Sequence, residues 1–405
     1  MKKIKVLVIA DHPFAPSGVG TQTKYMIESL LNTGRYQFVC FGGAVKHQGY
    51  EPQKTEQYGD DWIIHPVDGY GNQEMVRSAL WTDRPDILWF MTDPRFFPWL
   101  WDIENEIRPM VPMVYYHVWD NYPLPRYNGR YYNSTDVIVS ISEVTYDIVN
   151  NVAPEVESHY LPHAVDPNIF KKWAKVEIDE ARSKHSEFKN KTLFFWNNRN
   201  ARRKLSGSVL WSFNEFAEEV GPENVCLMMH TDPHDPHGQD LEQMIAVVGA
   251  DDGRIVLSTQ KHPPEILSAM YNMADCTINI SDAEGFGLST LESLSCGTPI
   301  IANMTGGLQS QVTDGKEEFG VAIHPASKTI IGSQEVPYIY EDRVSGDDFK
   351  AALRKIYEMS PEERETLGEK GMQHVKNNFN FDDYCRGWIN LMDDIHERYG
   401  SWENR

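Results

Sequence analysis

The sequence predicts an α/β protein built from two doubly wound, Rossmann-like domains. Three observations carry this. Short, very apolar runs of strand length alternate with longer segments of helical period, the pattern of parallel sheets covered on both faces. The alternation forms two series, parted by a polar stretch over residues 166–187 with no strand signal. The chain also has 405 residues, more than the roughly 250–300 that one hydrophobic core serves.

In the first series the apolar runs place strands at 5–10, 37–41, 62–67, 87–91, 113–117, 137–141 and 159–161. Their continuous rather than alternating hydrophobicity fits strands buried on both faces. Helical periodicity falls between them at 21–32, 73–81 and 144–152. The second series places strands at 192–196, 225–229, 255–258, 276–280 and 298–302, with helices at 206–218, 240–248, 264–272 and 288–295. From about Asp348 the chain is helical. Ser360-Pro-Glu-Glu starts one helix, with Ser as cap and Pro in the first turn. Asn380-Phe-Asp-Asp starts another that runs to about Tyr399. Residues 327–340, with Pro337, interrupt the pattern as a surface hairpin or loop. The domains are therefore expected at 1–170, 171–380 and a final helix at 381–405. Parallel sheets bind ligands at the carboxyl ends of their strands, and two such domains would form a cleft.

Composition narrows the function. Apolar residues make up 41% and charged residues 24%, ordinary for a globular protein. The charge is not ordinary: 38 Lys and Arg against 59 Asp and Glu give −21. The first 170 residues carry 13 basic and 21 acidic side chains, and the rest 25 and 38, so neither half is basic. Such a field repels nucleic acid and anionic membranes. An anionic ligand must then be held by a few placed cations. Cys40, Cys226, Cys276, Cys296 and Cys385 are far apart, without a C-x-x-C pair, and read as buried thiols in a reducing compartment. The apolar run after Lys5 is too short for a signal peptide, and no run of 18 apolar residues occurs. The expectation is a cytoplasmic protein without a membrane span.

Three segments carry chemistry. Ser281-Asp-Ala-Glu-Gly-Phe-Gly-Leu-Ser-Thr-Leu-Glu292 runs from a buried strand through a glycine turn into a helix. Glycines there let backbone approach a ligand closely, and the new helix offers free N–H groups to phosphate. Glu292 lies little more than a turn into that helix, and a carboxylate there suits a sugar diol. The plain alternative is a solvated glutamate beside glycines that only make the turn. The second segment, Trp196-Asn-Asn-Arg-Asn-Ala-Arg-Arg-Lys-Leu-Ser-Gly207, is the densest positive cluster in the chain. Arg199 and Lys204, five apart, can turn toward one anion. The third, Asp11 to Thr23, has Gly18 and Gly20 but not a third glycine at dinucleotide-fingerprint spacing.

Together these segments resemble glycosyltransferase family 4, retaining GT-B enzymes that use nucleotide sugars. The family's E-x7-E element is similar to Glu284 and Glu292, its A-x-G-x-P stop to Cys296-Gly-Thr-Pro299, and its Arg-x4-Lys clamp to Arg199 and Lys204. Ser17-Gly-Val-Gly20 resembles its N-terminal glycine loop, His117 a histidine after a strand, Val139-Ser-Ile-Ser142 a serine-rich strand end, and Thr305-Gly-Gly-Leu-Gln309 a loop near the β-phosphate. The resemblance implies that Glu292 binds the ribose and that Glu284 orients the transferred sugar. Arg199 and Lys204 would neutralise the diphosphate, with backbone amides from Gly285, Phe286, Gly287, Leu288 and Ser289 assisting. Gly18 and Gly20 would approach the diphosphate, and His117 would lie at the reacting face of the sugar. The final helix would return to the N-terminal domain. The sequence departs from the family where Pro162-His-Ala-Val-Asp166 lacks a glycine, and at Asn198, where a glycine commonly precedes the arginine.

The implied reaction moves a hexose from a nucleoside diphosphate sugar, UDP before GDP, to an acceptor hydroxyl on a small molecule or glycan. No Asp-x-Asp occurs, so neither a metal nor another cofactor is expected. Asp232-Pro-His-Asp-Pro-His-Gly-Gln-Asp240 matches no metal-ligand spacing and reads as a polar loop. Aromatic density at 89–101 and 115–132 reads as core and cleft wall, or as an acceptor platform. Trp119, Asp120 and Arg126 are the acceptor-side candidates. Two other readings compete: a GT-B nucleotide-sugar 2-epimerase, and a glycosyltransferase acting on a modified nucleic-acid base. The −21 charge disfavours the second.

Overall fold

The structure is a computed structural model that describes residues 2–400. The chain divides into two compact units. The first comprises residues 1–163, 332–339 and 381–405. The second comprises 164–331 and 340–380. The division thus falls at His163, ahead of 170, and residues 332–339 join the first unit rather than the second.

The first unit holds an eight-stranded sheet. Its strands are β1 (Ile4–Asp11), β2 (Tyr36–Gly43), β3 (Gln53–Lys54), β4 (Trp62–Pro66), β5 (Ile87–Met91), β6 (Met113–His117), β7 (Val137–Ser140) and β8 (Glu157–Tyr160), in the order β3-β4-β2-β1-β5-β6-β7-β8. Every pairing is parallel except β3 with β4. Strand order reverses beside β1, the doubly wound signature. Val6 to Ala10 and all of β5 are buried, which is why these runs carry no polar alternation.

The first helix, Gly18–Leu31, starts three residues before the expected 21. Gly18 and Gly20 therefore belong to its first turn and not to a flexible loop. Ser17 caps it, accepting from the Gly20 N–H at 3.0 Å. A Cβ on Gly20 would lie 2.7 Å from the His12 carbonyl oxygen, so this glycine is required by packing of the preceding loop.

The helix Phe381–Tyr399 closes the first unit. Trp388 is fully buried, edge-on to Trp89 at 5.8 Å and to Tyr116 at 4.9 Å. Tyr384 donates to the Gln22 carbonyl at 3.0 Å, and Arg35 grips Asp393 through two bonds of 2.8 Å. Gly387 lets the helix approach, since a Cβ there would meet Leu161 at 2.6 Å. Residues 332–339 add Tyr338, whose ring stands edge-on to Tyr127 at 4.8 Å and whose hydroxyl donates to the Leu124 carbonyl at 3.1 Å.

The second unit holds a six-stranded parallel sheet. Its strands are β9 (Thr192–Asn197), β10 (Val225–His230), β11 (Ile255–Ser258), β12 (Cys276–Asn279), β13 (Ile300–Asn303) and β14 (Gly320–Ile323), in the order β11-β10-β9-β12-β13-β14. The order again reverses beside a central strand, here β9. Helices Ser206–Val220, Leu241–Val248, Pro264–Met273, Leu288–Ser295, Gly346–Glu358 and Pro361–Asn378 cover it. Residues 166–187 are not merely a linker: they contain the helix Lys175–Ser183, none of whose residues is buried. An exposed helix needs no apolar stripe, so it left no periodic signal. The stretch 327–340 resolves into β15 (Ser327–Ile331) paired with β16 (Ile339–Arg343).

Removing Trp388 would leave a large void against Trp89 and Tyr116. Trp388→Ala is expected to destabilise the first unit by about 3–5 kcal/mol, read as an earlier unfolding transition in urea.

Candidate active site

The carboxyl ends of β9 and β12 bring the two richest segments of the sequence together. Lys204 and Glu284 are both buried and form an ion pair. Arg203 donates to the Ala283 carbonyl at 2.7 Å and approaches Glu284 Oε2 at 3.4 Å. Burial pushes the Glu284 carboxyl up. The charges and hydrogen bonds of Lys204 and Arg203 outweigh this and hold it below its ordinary value. The carboxylate is thus ionised and fixed in place.

The turn around it is locked by glycines. Gly287 has φ +92° and precedes the helix Leu288–Ser295, whose first turn has no side-chain cap. Gly307 packs where a Cβ would lie 2.5 Å from the Gly285 carbonyl oxygen, and its N–H donates to the Glu284 carbonyl at 2.9 Å. Gln311 donates to the Phe286 carbonyl at 2.7 Å and accepts from Thr290 at 2.6 Å. Phe286 is buried edge-on to Phe379 at 5.8 Å. Leu288 and Ser289 remain half-buried at the start of the helix, where backbone N–H groups and the positive end of the dipole favour an anion.

Glu292 projects from the same helix and is half-buried. It accepts from the Tyr271 hydroxyl at 2.7 Å, and Tyr271 in turn accepts from Asn197 Nδ2 at 2.7 Å. Burial raises the Glu292 carboxyl to about 7, against the lowering effect of the Tyr271 bond. Tyr271 and Asn197 carry no sequence signal of this role. They are joined to Glu292 only through space, from the helix Pro264–Met273 and the end of β9.

Arg199 is placed apart from Lys204. It is largely exposed and binds Asp235 through Nε at 2.6 Å and a second nitrogen at 3.2 Å. The loop 232–240 thus holds an arginine. It is anchored through Asn200, which donates to the Gln239 carbonyl at 2.7 Å and accepts from Ser206 Oγ at 2.6 Å. Among the described residues, no three His, Cys, Asp or Glu side chains gather around a common ion position. Three further acids escaped the motif reading: Asp282, Glu341 and Asp342 are buried, the first two facing Arg202 and the third Lys328. Glu341 pairs with Arg202, and Asp342 accepts from Thr305 Oγ1 at 2.8 Å.

In the first unit, His117 at the end of β6 is fully buried. One ring nitrogen meets the Tyr132 hydroxyl at 2.6 Å, the other has no partner, and burial alone lowers the imidazole to about 3. It is a neutral group without solvent access. Trp119 is buried too, donating to the Asn121 carbonyl at 2.8 Å. Asp120 is half-buried and Arg126 is exposed.

Two doubly wound sheets and a phosphate-favouring turn at the carboxyl end of β12 define a GT-B protein, and solved structures agree. Sucrose-phosphate synthase from Thermosynechococcus elongatus superposes with a TM-score of 0.77 at 15% identity, covering 98% of this chain and 100% of that one. Anabaena HepE in complex with UDP and glucose gives 0.70 at 13%, covering 96% and 100%. At these identities the likeness shows the fold. Residues 177–374, 198 of the 405, are similar to the family model described as Glycosyl transferases group 1. A D-inositol 3-phosphate glycosyltransferase of Thermomonospora curvata is 31% identical over 137 residues, 34% of this chain and 25% of that protein. One from Acidothermus cellulolyticus is 38% identical over 88 residues, 22% and 19%. The chain spans less than a third of the length of these curated relatives. Among the described residues, no helix is long and apolar enough to cross a membrane.

Two outcomes follow from the charges. Lys204→Met strands the buried Glu284 carboxylate and is expected to cost about 3–5 kcal/mol, with Lys204→Met/Glu284→Gln recovering most of it in urea unfolding. Glu292 has the opposite sign. Its folded value near 7 lies above the unfolded value of about 4.3. Its contribution is therefore fully present below the unfolded value and is lost as pH rises through 7. Unfolding midpoints of the ligand-free protein should fall over that window, and Glu292→Gln should flatten the fall.

Proposed function

We propose that the chain is a retaining, metal-independent hexosyltransferase that takes a nucleoside diphosphate sugar, UDP before GDP, as donor. The observation that carries this is the convergence of Glu284, Lys204 and the uncapped helix Leu288–Ser295, with Glu292 oriented by Tyr271 on the same helix. Glu292 takes the ribose hydroxyls, since a carboxylate accepts two hydroxyl protons at once. Ribose binding favours its ionised form. Glu284 accepts from the sugar being transferred, its own position fixed by Lys204 and Arg203.

As the anomeric C–O bond breaks, positive charge develops on the sugar and negative charge on the β-phosphate. Lys204, Arg203 and the amides of Leu288 and Ser289 are fixed before reaction and aimed at that growing charge. Arg199, itself exposed, reaches the diphosphate by exchanging its Asp235 partner. His117 is neutral and closed off from solvent, so the reading gives it no contact with the sugar. Retention follows from attack on the face the phosphate leaves, the phosphate oxygen taking the acceptor proton. The cations neutralise the leaving group, so the reading assigns no metal. The curated relatives are named as D-inositol 3-phosphate glycosyltransferases, which supports glycosyl transfer, and HepE was solved with UDP and glucose, which supports UDP and a hexose on the donor side.

Calorimetric titration of UDP-, GDP- and ADP-sugars into the protein tests the donor. The UDP-sugar should bind most tightly, and Glu292→Ala should weaken it by at least about tenfold, or 1.4 kcal/mol. Unchanged affinity in Glu292→Ala refutes the ribose assignment. Turnover should persist in EDTA, and product NMR should show the donor's anomeric configuration. Rapid epimer formation in the absence of any acceptor would support the 2-epimerase instead.

A further inference from the structure

The amino edge of the second unit's sheet holds a cavity of about 490 Å³. Lys191 ahead of β9, Asp275 ahead of β12 and Pro299 ahead of β13 line it, so it lies at the opposite end of the strands from Glu284. The helix Lys175–Ser183 and the first turn of the helix Pro361–Asn378 complete its wall, and all of it belongs to the second unit. Its charge runs against that of the chain. Lys172, Lys175, Arg182, Lys191 and Arg364 line it, opposed by Asp179, Asp275 and Glu365. In the whole chain acids outnumber Lys and Arg by 59 to 38; here the ratio is reversed.

The two arginines form a fixed floor. Asp275 stands between them, 3.1 Å from Arg182 and 3.5 Å from Arg364, and accepts the Leu193 N–H at 2.8 Å. Two guanidinium groups thus share one carboxylate. Further donors go to main-chain carbonyls: Arg182 bonds that of Lys191 at 2.7 Å and Arg364 that of Met359 at 2.8 Å. Arg364 thereby covers the end of the helix Gly346–Glu358, whose free carbonyls would repel an anion. Lys172 is held by Glu365 at 2.7 Å and Glu369 at 3.4 Å. The ammonium groups of Lys175 and Lys191 make no hydrogen bond or ion pair with any described residue. Glu362 and Glu365 reach Lys175, and Asp252 reaches Lys191, only through the longer-range field. Cations elsewhere in this unit are matched. Lys350 meets Glu215, Glu219 and Asp347, and the buried Arg254 meets Asp252 and Glu218.

Two unmatched ammonium groups above a floor of two arginines suit a dianion. A phosphate monoester brings close to two negative charges at neutral pH. The cavity is larger than a phosphate ion needs and falls within the roughly 300–1,000 Å³ of small-molecule sites, so it has room for the body of the ester as well. Trp173 and Met273 give that body an apolar wall. The −21 charge of the surrounding chain works against a polyanion, whereas a small ester fits inside the recess and meets its cations at short range.

We propose that this cavity is a second ligand site, for a soluble phosphate monoester held by Lys175 and Lys191 above Arg182 and Arg364. Calorimetric titration of the full chain tests it, with glucose 6-phosphate and AMP as probes and glucose and adenosine as their uncharged counterparts. At least one ester should bind more tightly than its counterpart, and which one does so separates a sugar phosphate from a nucleoside monophosphate. The double variant Lys175→Ala/Lys191→Ala should raise the ester's dissociation constant by at least about tenfold, while Lys175→Arg/Lys191→Arg, which keeps both charges, retains binding. Neither lysine side chain is bonded to the fold, so an unchanged thermal midpoint shows that the variants are folded. Lys316→Ala/Lys370→Ala removes the same charge from exposed positions outside the cavity and should leave the constant unchanged. So should Glu292→Ala at the other end of the sheet, a variant that distinguishes this site from the donor site. Absence of binding by both esters, binding that survives in Lys175→Ala/Lys191→Ala, or binding lost in Glu292→Ala overturns the proposal.

Discussion

The buried ion pair between Lys204 and Glu284 is the interaction on which the second unit's ligand-facing end depends. Two charges taken from water need each other. A lone carboxylate at that depth would have to protonate, and a lone ammonium to deprotonate. The pair ties the loop after β9 to the loop after β12, neighbouring strands of one sheet. With Glu284 fixed, its carbonyl receives the Gly307 N–H and the loop after β13 is drawn in. The positions of Gly285, Phe286 and Gly287, and so the start of the helix Leu288–Ser295, follow from that closure. One electrostatic constraint thus sets the geometry of three loops.

The neighbouring acids extend the same logic. Asp282, Glu341 and Asp342 are buried in a chain of net charge −21. They are tolerable because cations and donors reach them: Arg202 pairs with Glu341 and lies 3.9 Å from Asp282, Lys328 lies 3.8 Å from Asp342, and Thr305 donates to Asp342 at 2.8 Å. The three consecutive cations are therefore largely engaged by protein carboxylates. Such a site is rigid and near neutral, which favours discrimination over raw electrostatic pull.

Much of the fold was legible because buried parallel strands are continuously apolar. β5 and β6 match their apolar runs residue for residue, as does the helix Leu288–Ser295 between its flanking glycines. Elements without such marks were not. The helix Lys175–Ser183 has no buried residue, and β14 is only Gly-Val-Ala-Ile. Gly18 and Gly20 suggested a loop, whereas the Ser17 cap starts a helix there. In the candidate site, Glu284, Lys204 and Glu292 stood out by spacing and neighbours. Tyr271, Asn197 and Glu341 did not, since their importance lies in distances across the sheet that spacing along the chain does not encode. Exposure was the other hidden variable. Most rings of the aromatic-rich stretches proved to be core, but Phe96 within 89–101 is open to solvent, as are the isolated Phe14 and Tyr50.

The first unit is assembled from both ends of the chain and from residues 332–339. A ribosome releases β1 to β8 first and Trp388 only after the whole second unit. Throughout synthesis of the second unit, Trp89 and Tyr116 therefore await the side chain that covers them. The nascent first sheet carries an apolar patch for more than two hundred residues of elongation, tens of seconds at about 5–20 residues per second. Its exposure, and with it the need for chaperone protection, ends only when the C-terminal helix emerges.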